Sequence, residues 1–459
     1  MLKRTTSRRD FLRMMGAAAA ATALPSLPSF SYFRKPSQRL SGELKILQWS
    51  HFVPRYDTWF DPFAAAWGNE VGVSVTVDHI GLADIASRTA AEIAAGEGHD
   101  LIEWLSPPSA LEPSVLDLSD VVQEATSSFG DQISLAKRSS YNPSTEKYYG
   151  FCHGWVPDPG DYRKSLWEQV GLPDGPSTWD ELLQGGADIK DKLGVQMGIG
   201  MSNEIDSNMA ARALLWSFGA SVQDENENVV INSPEAVAAV AYMKNLYEKT
   251  MTPEVFSWAA ASNNQLLIAG QASYILNSIS AYRTAQDVNP DVADDVFFRP
   301  ALAGPGGTGL VSEHVIPIYI IPTHSKNPDA AKEFILNLLD NYADATHESE
   351  LYTFPAFLDT VPELLTDGGP LDNDPFGSTP VDKLSVLKSA PDWSTVVGHP
   401  GPANAAIGEV FGTFVLPNMF AKAARGDASP EQAVADAEKE IKDIFSKWRD
   451  QGLVGGGSS

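Results

Sequence analysis

The feature that most constrains the fold is an alternation of strand and helix patterns near the start of the chain. Apolar residues recur at helical spacing from Phe60 to Trp67, and a second helix is expected over residues 84–95. Short apolar or β-branched runs flank these helices and predict strands: ELKILQW (43–49), VSVTVDHI (73–80) and HDLIEW (99–104). This order predicts an α/β fold with a parallel sheet and right-handed crossovers.

The carboxyl ends of these strands carry aromatic and polar residues. Trp49 ends the first strand and His51 follows it, while Glu103 and Trp104 end the third strand. In parallel α/β sheets a small ligand binds beyond the carboxyl ends of the strands. Because neighbours in a strand alternate, Glu103 is expected to face the ligand, and Trp104 then points towards the helix layer.

The N-terminal segment has the pattern of an export signal. SRRDFL (7–12) matches the twin-arginine form S-R-R-x-F-L, and an alanine-rich run leads to ATA (21–23). The alternatives are a basic helix or a membrane anchor, but the run is too short to span a bilayer well. We expect residues 1–39 to be signal and linker, and the mature protein to lie in the periplasm or at the outer face of the cytoplasmic membrane. Since no cysteine follows the signal, we expect no lipid anchor.

Size and charge exclude several classes of function. With 459 residues the chain is too long for one ordinary core, which predicts two domains. Its formal net charge is −26, and the acidic excess is spread along the sequence. Such a surface repels phosphate backbones and anionic lipids, so we expect no nucleic-acid partner. Cys152 is the one cysteine, which excludes an internal disulfide.

Later segments continue the mixture of strands and helices. Thr178 and Glu181 form a capping-box pattern, and Ser-Pro or Asn-Pro helix starts occur at Ser233, Asn327 and Ser429. Residues 451–459 end in GGGSS and are expected to be an unstructured tail. Further strands are predicted in ASYILNS (272–278), DVFFRPA (295–301) and HVIPIYIIP (314–322).

Seven segments, in order, resemble the family 1 extracellular solute-binding proteins of ABC importers, in the sugar-binding, maltose-binding-protein-like branch. They are KILQWSHF, IAAGEGHDLIEW, KYYGFCHGWVPDPGDYRKSLWEQVGLPDGPSTWDELL, LLWSFGASVQDENENVVINSPEAVAAVAYMKNLYE, NNQLLIAGQASYILNS, SKNPDAAKEFI and ARGDASPEQAVADAEKEI. Two stretches depart from the family pattern, CHGWVP (152–157) and Ser312-Glu313-His314.

The resemblance implies a two-lobed periplasmic-binding-protein fold, in which each lobe is a mostly parallel sheet flanked by helices and the ligand cleft lies between the lobes. We expect residues 40–150 with 304–352 in lobe 1, and residues 151–303 with 353–450 in lobe 2. The implied function is capture of a mono- or oligosaccharide by cleft closure and its delivery to an ABC transporter permease. We expect a monomer without cofactor. The alternatives are a binding protein for a non-sugar solute and an exported hydrolase that acts on glycans.

The sequence has few features of an enzyme. Cys152 and His153 are adjacent, so in an extended segment they point to opposite faces and cannot easily form a nucleophile–base pair. The histidines are scattered, without a pair at metal-ligand spacing, so we expect no metal. GPGGTG (304–309) fits G-x-G-x-x-G, but a strand rather than a helix is predicted after it.

Sugar recognition needs aromatic faces and hydrogen-bonding groups, and candidates for both occur in each half of the chain. Trp155, Glu103 and Asn277 are the preferred three, whereas Trp216 fits the core as well as the cleft. The candidates are, from lobe 1, Trp49, His51, Glu103 and Trp104; from the crossing segment, His153, Trp155 and Asp158; from lobe 2, Asn208, Trp258, Asn277 and Ser278; and from later crossings, Glu313, His314 and Phe354.

Overall fold

The structure is a computed structural model that describes residues 39–456, and these residues belong to one compact unit. The expected export signal lies outside the described residues. The strands are β1 (Glu43–Trp49), β2 (Ser74–Ile80), β3 (Leu101–Trp104), β4 (Tyr141–Asn142), β5 (Lys147–Tyr148), β6 (Phe151–Cys152), β7 (Gly154–Trp155), β8 (Gly160–Arg163), β9 (Gln196–Gly198), β10 (Ala272–Leu276), β11 (Val296–Arg299), β12 (Val311–Ser312), β13 (Ile318–Ile320), β14 (Phe354–Pro355) and β15 (Ser394–Thr395).

Helices separate most of these strands, and short 3-10 turns occur at Leu82–Asp84, Ser109–Ser114, Pro253–Phe256, Leu358–Thr360 and Ser385–Ser389. The α-helices are α1 (Pro54–Val71), α2 (Ile85–Ala95), α3 (Ser119–Phe129), α4 (Ser134–Ser140), α5 (Lys164–Glu168), α6 (Trp179–Leu193), α7 (Ile205–Ser217), α8 (Pro234–Thr250), α9 (Ser262–Ile268), α10 (Ser280–Val288), α11 (Pro290–Asp295), α12 (Pro328–Asp340), α13 (Tyr342–Glu348), α14 (Ala390–Trp393), α15 (Ala405–Gly412), α16 (Val415–Arg425) and α17 (Pro430–Arg449).

The first sheet has the strand order β2–β1–β3–β13–β6. Strand β1 pairs in parallel with both β2 and β3, which confirms the predicted parallel arrangement. Strand β13 returns from much later in the chain and runs antiparallel to both β3 and β6. The apolar face of α1 covers this part of the core, because the rings of Phe60 and Trp67 lie 5.8 Å and 5.2 Å from that of Phe334 in α12.

The second sheet has the order β11–β8–β10–β9. Strand β10 is parallel to β9 and antiparallel to β8. Helix α6 packs on β9 and β10, and α9 packs on the same strands. All five residues of β10 are buried, which explains the continuous apolar pattern of this segment.

Two short ladders lie where the chain passes between the sheets. In one, β7 pairs antiparallel with β14, so that Trp155 lies opposite Phe354. In the other, β12 pairs in parallel with β15. Gly154 allows the close approach of the first ladder, because a Cβ atom there would overlap the hydroxyl of Tyr342. Phe151 and Cys152, which we assigned to lobe 2, form the edge strand β6 of the first sheet instead.

Three of the four predicted helix starts are capped by the expected side chain. Thr178 accepts from the amide of Glu181 at 3.0 Å, and Ser233 and Ser429 cap in the same manner. The carboxylate of Glu181 accepts from the amide of Ser177 rather than from that of Thr178. The reciprocal hydrogen bond of the capping box is therefore made by the residue before the predicted one. Asn327 does not cap its helix, because its amide donates to the carbonyls of Ser41 and Glu43.

Part of the expected unstructured tail packs on the folded body. Leu453 and Val454 are buried, and the carbonyl of Leu453 accepts from Asn142 at 3.2 Å. The amide of Gly455 donates to the carboxylate of Glu227 at 2.7 Å. These apolar contacts and hydrogen bonds hold residues 453–455 against the folded body, so the prediction of disorder from residue 451 is wrong for them.

Candidate functional site

An aromatic cluster occupies the carboxyl end of β1. The ring of Trp49, the last residue of this strand, lies 4.7 Å from that of His51 and 6.4 Å from that of Tyr352. The ring of Tyr352 also meets His51 edge-on at 5.0 Å. All three side chains are buried. The structure therefore places the predicted pair Trp49 and His51 together, and adds Tyr352 from a distant part of the sequence.

His51 is a neutral imidazole with one nitrogen available. Its Nδ1 lies 2.9 Å from the amide nitrogen of Val53 and 3.1 Å from the carbonyl oxygen of the same residue. Because the shorter contact requires Nδ1 to accept, we assign the proton to Nε2. Burial lowers the pKa of His51 to about 3, which keeps the ring uncharged at neutral pH. Nε2 is buried and has no hydrogen-bond partner within residues 39–456. This nitrogen is a donor that a bound solute can satisfy.

Glu103 belongs to a buried network on the first sheet. One carboxylate oxygen accepts from Gln48, and the other lies 2.9 Å from Nε2 of His153. The Nδ1 atom of His153 lies 3.0 Å from the hydroxyl of Tyr342, and its ring stacks on Tyr319 at 4.8 Å. Both predicted residues are thus brought together, but their polar atoms bond mainly to the protein. The network fixes the crossing segment to the sheet.

Trp155 lies on the crossing ladder beside Phe354. Their rings meet edge-on at 5.3 Å. Trp155 is 1% exposed, and its indole N–H has no hydrogen-bond partner in the part of the chain that the structure describes. Because an unsatisfied buried donor is costly, this N–H is a second group that a solute can satisfy.

His314 bridges two carboxyl groups from different parts of the fold. Its Nδ1 donates to Asp158 at 2.9 Å, and its Nε2 lies 3.8 Å from an oxygen of Asp206 in the first turn of α7. Burial lowers the pKa of His314, but the bond to Asp158 and the charge of Asp206 outweigh it and raise the pKa overall. Burial raises the pKa of Asp158, against the effect of His314. The second oxygen of Asp158 has no partner among the described residues.

Glu313 and Arg212 form a buried pair without a direct hydrogen bond. Both oxygens of Glu313 and the Nη2 atom of Arg212 lack partners within residues 39–456. Burial raises the pKa of Glu313 to about 8, although Arg212 and the half-buried Arg138 act in the opposite direction. Burial lowers the pKa of Arg212 to about 9. Glu313 and Arg212 therefore place polar atoms without protein partners in the same part of the site.

The amide candidates are bonded within the protein. Asn208 accepts from Arg212 at 2.9 Å and donates to the carbonyl of Phe411 at 3.1 Å, so both ends of its side chain are engaged. Asn277 donates to Asn264, and its oxygen accepts from the amide of Ser278 at 2.7 Å. These contacts make Asn208 and Asn277 positioning residues in this structure.

Ser278 connects the end of the second sheet to the aromatic cluster. Its hydroxyl lies 3.1 Å from that of Ser280. Burial raises the pKa of Tyr352, and the hydroxyl of Ser278 acts against this rise. The hydroxyl of Tyr352 makes no hydrogen bond within residues 39–456, but the effect of Ser278 on its pKa places it near the residues that follow β10.

The remaining tryptophan candidates differ in their surroundings. Trp104 packs on the core, with an indole N–H that has no partner within the described range. Trp258 is partly exposed and covers Gly198 and Gly200 beside β9. Trp216 is buried, and its ring meets that of His399 at 5.6 Å. Trp104 and Trp258 are the partly exposed members of this group, and both lie next to a strand end.

Sequence reasoning missed four residues of the site. Tyr352 stands two residues before the predicted Phe354. Asp161 follows Asp158 in PDPGDY, and no local pattern distinguishes it from a turn residue. Arg212 is a charge within the apolar run AARALLW, which is a signal of a special environment. Asp206 had no distinguishing pattern.

The structure separates Cys152 from His153 as predicted. The thiol of Cys152 contacts the carbonyl of Gly154 at 3.2 Å, and burial raises its pKa well above the usual value. His153 turns to Glu103 instead. Within residues 39–456 there is no group of three His, Cys, Asp or Glu side chains arranged for a metal ion. None of the helices described is long and apolar enough to cross a membrane.

Comparison with known proteins places this chain in a family. The profile of the bacterial extracellular solute-binding proteins matches residues 53–343. The profile of the twin-arginine translocation pathway signal sequence matches residues 5–25, which confirms the predicted export route. A protein of Brucella abortus (strain 2308) named as a binding protein is 27% identical over 173 residues, which cover 37% of this chain. The match spans 41% of the length of that relative.

Solved structures share the fold. Maltose-bound MalE3 of T. maritima has a TM-score of 0.71 and 20% identity, over 88% of this chain and 100% of that one. A sugar transporter protein of Arthrobacter chlorophenolicus A6 with bound laminaribiose has a TM-score of 0.71 and 17% identity, over 88% and 99%. The architecture is that of two-lobed periplasmic binding proteins, as predicted. This chain belongs to the family of bacterial extracellular solute-binding proteins.

Proposed function

We propose that this protein captures a carbohydrate, either a mono- or an oligosaccharide, in the cleft between its lobes and delivers it to the permease of an ABC transporter. In this proposal the exported, monomeric protein works in the periplasm or at the outer face of the cytoplasmic membrane, without a lipid anchor. Lobe 1 comprises residues 40–152 with 304–352, and lobe 2 comprises residues 153–303 with 353–450.

The observation that carries the proposal is the pairing of buried donors and acceptors that lack protein partners among residues 39–456. Nη2 of Arg212 and the indole N–H of Trp155 are donors, and an oxygen of Asp158 is an acceptor. The carboxyl of Glu313, whose pKa burial raises to about 8, both donates and accepts in its neutral form. Leaving such groups unpaired costs about 1–3 kcal/mol each. A sugar hydroxyl both donates and accepts, so a polyhydroxylated solute satisfies both kinds of group at once.

Aromatic side chains supply the complementary apolar surface. The cluster of Trp49, His51 and Tyr352 and the pair Trp155 and Phe354 come from separate parts of the sequence. Sugar rings present apolar faces that stack on such side chains. Maltose and laminaribiose are the ligands of the two solved structures described above, which supports a carbohydrate as the solute class.

Closure follows from contacts to both lobes. Tyr352 contacts the end of β1 and also approaches Ser278 at the end of β10. A solute that binds groups from both halves favours the closed arrangement over an open one. The closed surface is then what a permease recognises. Glu103, His153, Asn208 and Asn277 position this site, while Trp104, Trp258, Ser278 and His314 complete its lining.

The test is a ligand screen on the mature protein. Native mass spectrometry of freshly purified protein detects a solute that copurifies, and a thermal-shift panel covers mono- and oligosaccharides, peptides, polyamines and metal ions. We expect one class of sugar to raise the melting temperature, because a ligand of the native state stabilises it. The Trp155→Ala variant is expected to lose the shift. The Trp448→Ala variant is the control for the loss of a tryptophan. The indole of Trp448 lies in α17, where it donates to Glu409.

Two results would contradict the proposal in different ways. If a peptide, a polyamine or a metal ion stabilises the protein and no sugar does, then the solute is not a carbohydrate, although the protein is still a binding protein. Recovery of a shortened glycan after incubation with the protein establishes the hydrolase instead. The family and the fold are those of binding proteins, which is why we propose binding without turnover.

A further inference from the structure

The most unusual group in the site is a carboxyl that the proposed function does not yet use. Asp161 lies in β8, three residues after Asp158. It is fully buried, and neither of its oxygens has a hydrogen-bond partner within residues 39–456. The hydroxyl of Tyr274, in the neighbouring strand β10, is equally buried and without a partner in that range. An acidic side chain enclosed in this way needs a donor from outside the protein.

These groups gather at one turn of the crossing segment. The carbonyl of Pro159 accepts from the amide of Asn277 at 3.2 Å, which joins the turn to the end of β10. A Cβ atom at Gly160 would overlap the hydroxyl of Tyr274, so this hydroxyl lies directly on the turn. Asp158 and Asp161 both raise the pKa of Tyr274 further above the level that burial produces. The turn therefore presents two carboxyl groups and a phenol in one enclosed region.

Acidic side chains outnumber basic ones in the site. His314 and Arg212 are its buried cations, and His314 already serves both Asp158 and Asp206. The buried carboxyl groups outnumber them: Asp158, Asp161, Glu204, Asp206 and Glu313. Burial, and to a lesser degree the neighbouring Asp158, raises the pKa of Asp161 well above its usual value and so favours its neutral form. A cation placed beside this carboxyl favours the ionised form, whereas a neutral polyol supplies hydroxyl donors but no charge.

We propose that the captured solute is an amino sugar, whose protonated amine lies against Asp158 and Asp161. This inference rests on the proposed carbohydrate function and narrows the substrate class. An ammonium group has three donors and no acceptor, which matches the acceptor-only oxygens that Asp158 and Asp161 present once the cation has favoured their ionised forms. The sugar hydroxyls remain necessary, because the donors of His51, Trp155 and Arg212 require acceptors that a simple polyamine lacks.

The charge of the whole protein supports a cationic solute. The chain carries a formal net charge of −26. A cleft lined with the same sign of charge concentrates cations and raises their association rate, especially at low ionic strength. The proposal therefore includes a salt dependence: affinity for the amine falls as salt increases, while affinity for a neutral analogue changes little.

The experiment compares matched sugars by isothermal titration calorimetry and thermal shift at neutral pH. The probes are glucosamine, N-acetylglucosamine and glucose, together with their β-1,4-linked dimers. We expect the free amine to bind about 10- to 100-fold more tightly than either neutral analogue, as for a buried charge-assisted hydrogen bond. The Asp161→Asn variant is expected to lose about tenfold of this preference, whereas Asp188→Asn, at an exposed position of α6, is expected to keep it.

Circular dichroism and melting temperature establish that each variant is folded, and Asp158→Asn serves as the second variant if Asp161→Asn fails to fold. If the wild-type protein binds the neutral sugars as tightly as the amine or more tightly, then the proposal of an amino sugar is wrong, but the proposed carbohydrate function remains. Absence of any saccharide binding, with polyamines or other solutes bound instead, overturns both. If both Asp→Asn variants keep the preference for the amine, then the amine does not bind at Asp158 and Asp161, and the proposal is contradicted.

Discussion

The buried carboxyl of Glu313 makes a prediction about stability that does not depend on knowing the solute. Burial raises its pKa from 4.5 to about 8. Between these values the folded protein holds a proton that the unfolded chain has released, so the free energy of unfolding falls as the pH rises. Each pKa unit corresponds to about 1.4 kcal/mol, and the full interval therefore corresponds to about 5 kcal/mol. This stabilisation is complete below pH 4.5 and is lost by about pH 8.

The Glu313→Gln variant cannot titrate at this position. We expect its free energy of unfolding, relative to the wild-type value, to increase by about 4 kcal/mol between about pH 5 and about pH 8. Urea denaturation followed by tryptophan fluorescence measures both proteins across this range, without sugar. The exposed Glu254→Gln variant controls for the amide substitution. Parallel pH profiles for the wild type and Glu313→Gln would refute the reasoning, because the carboxyl would then be ionised or accessible in the folded state.

Three further predictions concern other parts of the chain. Arg283 bonds both oxygens of the buried Asp374, at 2.7 Å and 3.0 Å, and also the carbonyl of Glu350. The Arg283→Met variant removes the cationic partner of Asp374, which keeps only hydrogen bonds from Ser378 and the amide of Phe376. Urea denaturation should therefore show a loss of about 3–5 kcal/mol in the free energy of unfolding, and a loss below about 1 kcal/mol would contradict a structural role for this pair. Glu146 has a φ of 57° on an exposed turn, so Glu146→Gly should stabilise the protein by about 1 kcal/mol; a fall in melting temperature would be inconsistent with backbone strain there. Trp155→Phe retains an aromatic face without the N–H, and calorimetry should show affinity for the sugar reduced about 3- to 10-fold with no loss of stability; unchanged affinity would mean that the N–H does not contact the solute.

Much of the fold was predictable because its signals are local. The apolar run from Glu43 to Trp49 forms a strand with the expected bounds, and Thr178 caps its helix through the expected amide. The sequential order of strands and helices confines the first three strands to a parallel arrangement. These properties depend on side-chain periodicity and on contacts between residues a few positions apart.

Pairings between distant segments were not predictable in this way. Strand β13 lies between β3 and β6, and no local pattern shows that residues 318–320 return to the first sheet. Leu453 and Val454 follow a helix and precede GGGSS, which is typical of a tail, yet their burial depends on a surface that other segments create. Residues 151 and 152 were expected in lobe 2 but pair with β13 at the edge of the first sheet, a partner that is far away in sequence.

The sequence by itself determined the export signal, the family and the set of side chains with suitable chemistry at the strand ends. Only the tertiary structure decided which polar atoms remain unpaired. Glu103 and Asn277, which are predicted to contact the ligand, form hydrogen bonds with His153 and Asn264. Asp161 and Glu313 keep both oxygens without partners in the described chain. Hydrogen bonding and burial depend on the three-dimensional positions of neighbouring residues, and the spacing of residues along the chain does not determine those positions.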